Sequence, residues 1–250
     1  MQQQDVVNTC VQRFSQRNMP KASELQRLDH GFHGPRVLMQ TITLMFVVAN
    51  SVAGQSVRET ALAGSYTDNR GNRMPYRLFL PPDYDATRQY PIVLFLHGGR
   101  ETGVDNEAQI AENIADLVQA TQTQEYASFL LAPQTNHTWW INSQHELVKA
   151  ILFDVERTFA VDKRRRYVTG LSMGGTGTWE MIIKEPDLFA AAMPIAGGPR
   201  VVRSPDAVKD VPIWGTLGEL DSPVINDPMV EMISLVQNAG GRANLTIFEG

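Results

Sequence analysis

Gly170-Leu171-Ser172-Met173-Gly174 sets a serine midway between two glycines, with an apolar run before it and a helix-like segment after it. A sharp turn from strand to helix exposes the serine hydroxyl, and glycines two residues away on either side let strand and helix approach closely. The chemistry such a turn supports is nucleophilic acyl transfer, in which the hydroxyl attacks an acyl carbon and an oxyanion forms. The plain alternative is an ordinary glycine-rich turn. A phosphate loop is excluded, because no lysine precedes Thr178 in the run 174–178. A dinucleotide fingerprint is excluded too, because Glu180 stands where its third glycine belongs.

An oxyanion needs two N–H donors aimed at it. The amide of Met173, next to the nucleophile, supplies one. The other is expected from the loop that begins His97-Gly98-Gly99, with Gly99 as first choice and Arg100 as second. His97 itself reads as the residue that shapes this loop beside the substrate, the alternative being a catalytic base. A triad also needs an orienting carboxylate. Asp221, in Gly218-Glu219-Leu220-Asp221, follows an apolar strand and fits that place; Glu219 is an alternative, and Asp227 reads as a helix cap. The base should come after the acid. The histidines are His30, His33, His97, His137 and His145, and none follows Asp221. His137 and His145 are either pocket-rim residues or exposed loop residues. Trp139 and Trp140 either line the substrate pocket, where large aromatics suit sugar or aromatic esters, or pack into the core and shield the loop.

The elements that must position these residues alternate. Ala61–Tyr66 and Met74–Leu80 read as a hairpin about the turn at 68–71. The runs at 91–96, 128–132, 166–171, 189–195, 211–217 and 244–248 read as strands. The first of these, PIVLFL, is apolar throughout and fits a strand buried on both faces. Segments 105–119, 144–159, 174–184 and 228–237 read as helices, with Asp105 or Asn106 capping the first. This is an α/β chain with a mostly parallel, doubly wound sheet and an N-terminal antiparallel hairpin. Ligands of such sheets sit beyond the carboxyl ends of the strands. That directs attention to 97–106, 133–143, 170–176, 197–204 and 218–226.

The chain has 250 residues, enough for one large domain or two small ones, and a net charge of −5. That balance argues against non-specific nucleic-acid binding. A single cysteine, Cys10, excludes a disulfide scaffold and a cysteine zinc site. Residues 1–53 carry a net +2, and Val37–Ala49 is mostly apolar with Arg36 just before it and Ser51-Val52-Ala53 after it. This is the pattern of an export signal cleaved after Ala53, the alternative being a buried or interfacial helix. The apolar stretch is shorter than the roughly 20 residues of a membrane-spanning helix, so no stable membrane insertion is expected after cleavage. Some 36 residues precede it, which an upstream start codon would explain, with Met19 as a later start. The expected organisation is a 1–53 extension and a 54–250 catalytic domain.

These residues together resemble the secreted serine esterases of the α/β-hydrolase superfamily, in the branch of polyhydroxybutyrate depolymerases and feruloyl esterases. The resemblance runs from about Met74 to Gly250. It rests on Tyr76–Pro81, on Leu96–Gly99 with Gly103, Asp105 and Asn106, and on Ala132-Pro133-Gln134 with Trp139-Trp140. It continues through Thr169–Gly175, Pro194 with Ala196–Gly198, and Gly218-Glu219 with Asp221. It implies Ser172 as nucleophile, Asp221 as acid, and Gly99 with Met173 as oxyanion hole. It also implies ester hydrolysis of a small-molecule or polymer substrate outside the cytoplasm, with no metal and no organic cofactor. A serine peptidase, or a non-catalytic protein that binds esters or glycans, are the rival readings. The family expects a histidine-bearing segment directly after the last strand, so the chain reads as ending just short of it. Triad loss leaves only the catalysis due to the oxyanion hole and binding. The 250-residue polypeptide is therefore expected to hydrolyse short p-nitrophenyl esters orders of magnitude more slowly than a complete esterase. A steady-state assay showing turnover of about 10 per second would contradict this.

Overall fold

The protein is described here by a computed structural model covering residues 60–249, apart from Glu112 and Arg203. The export-signal expectation at 1–53, Cys10, His30 and His33 lie outside the described residues.

Eight strands form one sheet: β1 Ala61–Thr67, β2 Arg73–Phe79, β3 Tyr90–Leu96, β4 Phe129–Pro133, β5 Val161–Leu171, β6 Ala191–Ile195, β7 Ile213–Gly218 and β8 Ala243–Phe248. Their order across the sheet is β1-β2-β4-β3-β5-β6-β7-β8. β2 pairs antiparallel with both β1 and β4. The remaining pairings, from β4–β3 to β7–β8, are parallel. The hairpin turn forms because Asp68 Oδ1 accepts the N–H groups of Arg70 and Asn72 and Gly71 takes φ +84°. Among the described residues four α-helices alternate with these strands: α1 Ala115–Thr121, α2 Asn142–Thr158, α3 Met173–Lys184 and α4 Pro223–Asn238. This is the mostly parallel α/β sheet with an N-terminal antiparallel hairpin that the strand pattern implied.

Both faces of the sheet are covered, which is why its central strands carry unbroken apolar runs. On β3, Ile92, Leu94 and Leu96 enter a cluster with α2, α3 and α4. Phe95 points the other way, into a cluster with Ile110, Ile114, Leu117 and Val118. The spacing of Leu147, Val148, Ile151, Leu152 and Val155 puts the apolar stripe of α2 on the first of these faces.

Two helices differ from the sequence expectation. The helix expected over 105–119 is a single turn at Ala108–Ile110 followed by the short α1. Asn106 has φ +60°, a left-handed backbone that cannot propagate a right-handed helix. Asp105 is not the cap expected of it: its Oδ1 accepts the N–H groups of Glu107 and Ala108 in a local turn, while the cap position of the single turn is Glu107, which makes no side-chain cap bond. The last helix starts at Pro223 rather than Pro228. Proline is suited to the first helical position, where no N–H is needed. Pro228 then forgoes the bond to the carbonyl of Val224, a residue 83% exposed. Asp227 therefore lies inside α4 rather than at its cap, which is Ser222.

Candidate active site

β5 runs straight into α3, and Ser172 is the residue between them. Its backbone has φ 55° and ψ −111°, a region costing about 1–3 kcal/mol for a residue with a Cβ. The surroundings enforce it. Ser172 N–H donates to the Ile195 carbonyl of β6 at 2.8 Å, and Thr176 N–H donates to the Ser172 carbonyl at 3.0 Å. The close approach needs glycine. A Cβ on Gly174 would stand 1.8 Å from the Leu96 carbonyl oxygen, and one on Gly170 would stand 2.5 Å from the Gly174 backbone.

Ser172 opens onto a cleft of about 270 Å³, lined also by Leu171, by 98–101 and by Asn113. Residues Gly99–Glu101 form one 3-10 turn. The first amides of such a turn have no acceptor within it, so those of Gly99 and Arg100 are oriented by the turn and free of it. Met173 is the first residue of α3, and its N–H likewise has no partner within the helix. The positive end of the helix dipole adds to the attraction for negative charge beside Ser172. The structure thus brings Ser172, Met173, Gly99 and Arg100 together at the carboxyl ends of β3 and β5.

His97 does not face the cleft. Its side chain is 0% exposed. Nε2 accepts the Thr135 N–H at 3.1 Å, which leaves Nδ1 as the protonated nitrogen, donating to the Gly98 carbonyl at 2.7 Å. The lone pair a base would use is taken. Burial lowers its pKa to about 4, against the partial opposition of the Gly98 carbonyl. Trp139 is also fully buried; it donates Nε1–H to the His97 carbonyl at 2.8 Å and packs edge-on against the imidazole. Of the three residues the sequence placed around the substrate, only Trp140 reaches the surface, half-buried beneath the Arg200 guanidinium at 5.1 Å.

Asp221 lies in the loop after β7. Its Oδ2 accepts the Gly218 N–H at 2.9 Å, and Asn226 Nδ2 donates to its main-chain carbonyl. Asp221 is half-buried and lies outside the cleft lining, while Glu219 is exposed. His137 is exposed. His145 is buried in α2, and its pKa falls to about 4, first through burial and then through the Lys184 charge at 3.1 Å. Among the described residues, no cluster of three or more His, Cys, Asp or Glu side chains could hold a metal. Glu101 and Asn113, bonded to each other at 2.7 Å, line the cleft without having been singled out in the sequence. No spacing rule marks them, because their meeting depends on the irregular path of 102–113.

The putative esterase family model matches residues 68–243. The chain belongs to that family. A probable feruloyl esterase C of Aspergillus terreus is 26% identical over 212 residues, covering 81% of this chain and 76% of that protein. A poly(3-hydroxyalkanoate) depolymerase C of Paucimonas lemoignei is 25% identical, covering 72% of this chain and 47% of that protein. The crystal structure of a thermostable esterase is 36% identical with a TM-score of 0.70, covering 76% of this chain and 55% of that one. The chain has the α/β-hydrolase fold of these esterases, and it spans about half the length of the depolymerase and of the thermostable esterase. No helix among its described residues is long and apolar enough to cross a membrane.

Two outcomes follow from this geometry. Gly174→Ala drives a methyl group into the Leu96 carbonyl, and is expected to lower stability by more than about 4 kcal/mol or to prevent folding. Urea unfolding, or the soluble yield, reads this out. His97 and His145 bind protons more readily in the unfolded chain than in the folded one. Their contribution is intact above pH 6.5 and is lost as the pH falls to about 4. The urea midpoint is expected to drop through that window, and a flat profile would contradict the assignment.

Proposed function

We propose that this protein hydrolyses carboxylic esters through a covalent acyl-enzyme formed on Ser172. The observation that carries the reading is the strained Ser172 at the start of α3, opening on a cleft shared with the turn Gly99–Glu101. In the first half-reaction Ser172 Oγ bonds to the acyl carbon, and its proton passes to a base. The tetrahedral oxyanion takes hydrogen bonds from the amides of Met173 and Gly99, with Arg100 as the second choice for the latter. Collapse expels the alcohol, which takes up the proton. Water then repeats the sequence on the acyl-enzyme, releasing the acid and restoring the serine.

Asp221 is the proposed orienting acid, its carboxylate held by the Gly218 amide at the end of β7. His97 is not the base, since both its ring nitrogens are engaged. None of the five histidines follows Asp221, and no residue is assigned to that role. The proposed substrates are small-molecule or polymer esters, the classes named for the feruloyl esterase and poly(3-hydroxyalkanoate) depolymerase relatives. Trp140 packs under Arg200 and does not line the Ser172 cleft, so no substrate contact is assigned to it. The proposed setting is outside the cytoplasm, reached through the apolar segment 37–49.

An alkyl fluorophosphonate tests the nucleophile without requiring turnover. Oγ–P bond formation expels fluoride, and the hydroxyl proton is lost to the solvent. The adduct mass is expected on the peptide containing Ser172, and none on Ser172→Ala. Labelling mapped to another residue, or unchanged in Ser172→Ala, would overturn the assignment.

A further inference from the structure

The turn that carries the Gly99 and Arg100 amides belongs to a loop with three glycines, Gly98, Gly99 and Gly103. Such a segment loses more conformational entropy on ordering than most. A hydrogen-bonding partner must hold it. The partner with the most side-chain bonds to this loop is Gln134, the first residue after β4, whose side chain is 0% exposed.

Its carboxamide makes three bonds to the loop. Nε2 donates to the Glu101 carbonyl at 3.2 Å and to Asp105 Oδ1 at 2.9 Å, while Oε1 accepts the Asn106 N–H at 2.6 Å. Two acceptors on one end and a donor on the other leave a single orientation for the amide. The fit is close, since a Cβ on Gly103 would stand 2.8 Å from Nε2. Gln134 is anchored in turn, its own N–H donating to the Pro75 carbonyl of β2 at 2.8 Å. The loop's far end is fixed independently, by Arg77 Nε donating to the Asn106 carbonyl at 2.7 Å and by Asn106 Nδ2 donating to the Gly64 carbonyl. Glu101 closes the turn Gly99–Glu101, so a shift of its carbonyl tilts both candidate oxyanion amides.

We infer that Gln134 is a positioning residue for the oxyanion hole: it does not line the cleft, but it sets where the Gly99 and Arg100 amides point. The inference rests on the Ser172 reading. A carboxylate at 134 keeps the bond from Asn106 but cannot donate, and it faces the Asp105 carboxylate. Methionine keeps the length and loses all three bonds.

The test uses phenylboronic acid, which adds Ser172 Oγ to boron and presents a tetrahedral oxygen to the hole as the hydroxyl proton leaves to solvent. Its Kd is measured by calorimetry for the unsubstituted chain, Ser172→Ala, Gln134→Glu and Gln134→Met, each well below its melting temperature. Binding is expected for the unsubstituted chain and not for Ser172→Ala. Both Gln134 variants are expected to bind about 100-fold more weakly, the scale of a displaced catalytic contact. Benzamide, whose carbonyl carbon is planar where the boron adduct is tetrahedral, is expected to bind all four with the same directly measured Kd. A merely structural Gln134 would lower the melting temperature and leave the boronate Kd unchanged, and that result overturns the inference. No boronate binding, or equal binding by Ser172→Ala, overturns the Ser172 reading and the inference with it. Should neither Gln134 variant fold, amide exchange on the unsubstituted chain decides: protection of the Asn106 N–H supports the clamp, and exchange at the rate of a free loop overturns it.

Discussion

The molecule turns on a contact between two backbones, that of Gly174 against the carbonyl of Leu96. With no Cβ at 174, the first turn of α3 lies directly on the end of β3. That proximity lets β5 end in an unfavourable conformation at Ser172, because the bonds to Ile195 and Thr176 and the packing of α3 outweigh the local strain. Gly177 extends the same close approach, since a Cβ there would strike Trp139. Helix, strand and buried tryptophan are thus pressed together behind a serine that faces outward.

His97 is the link from this wedge to the opposing loop. It follows the last residue of β3, and it joins Gly98, Thr135 and Trp139 in one buried patch of hydrogen bonds. A protonated imidazole there would present a donor to the Thr135 N–H, so burial and geometry alike demand the neutral ring. The residue that looks most chemical in His97-Gly98-Gly99 is instead a fixed part of the frame.

Much of this was legible in the sequence. The apolar strands could be read because both faces of the sheet are covered, and Ser172 because its turn demands glycines at fixed distances. Asp221 was singled out from its place after an apolar strand; it does sit in the loop after β7, but outside the cleft lining. Other features follow from contacts that no period encodes. Asn106 breaks the expected helix because its left-handed backbone is held by Arg77, Gly64 and Gln134 together. Gln134 could be seen in the sequence only as part of Ala132-Pro133-Gln134, since a neutral amide after a strand carries no mark of three converging bonds. Trp139 and Trp140 are adjacent in the chain but face opposite ways, a difference that composition cannot express.

The contacts that shape the cleft have a kinetic meaning. Asn106 reaches back 42 residues to Gly64 and 29 to Arg77, and forward 28 to Gln134; His97 meets Thr135 across 38 and Trp139 across 42. Closing loops of that size costs entropy before any of these bonds can form, and topologies rich in such pairings fold slowly. A chain still emerging from the ribosome cannot assemble the loop at 97–106 until β4 and the segment through Trp139 have been made. The cleft at Ser172 is therefore a late product of folding, completed only with the central sheet.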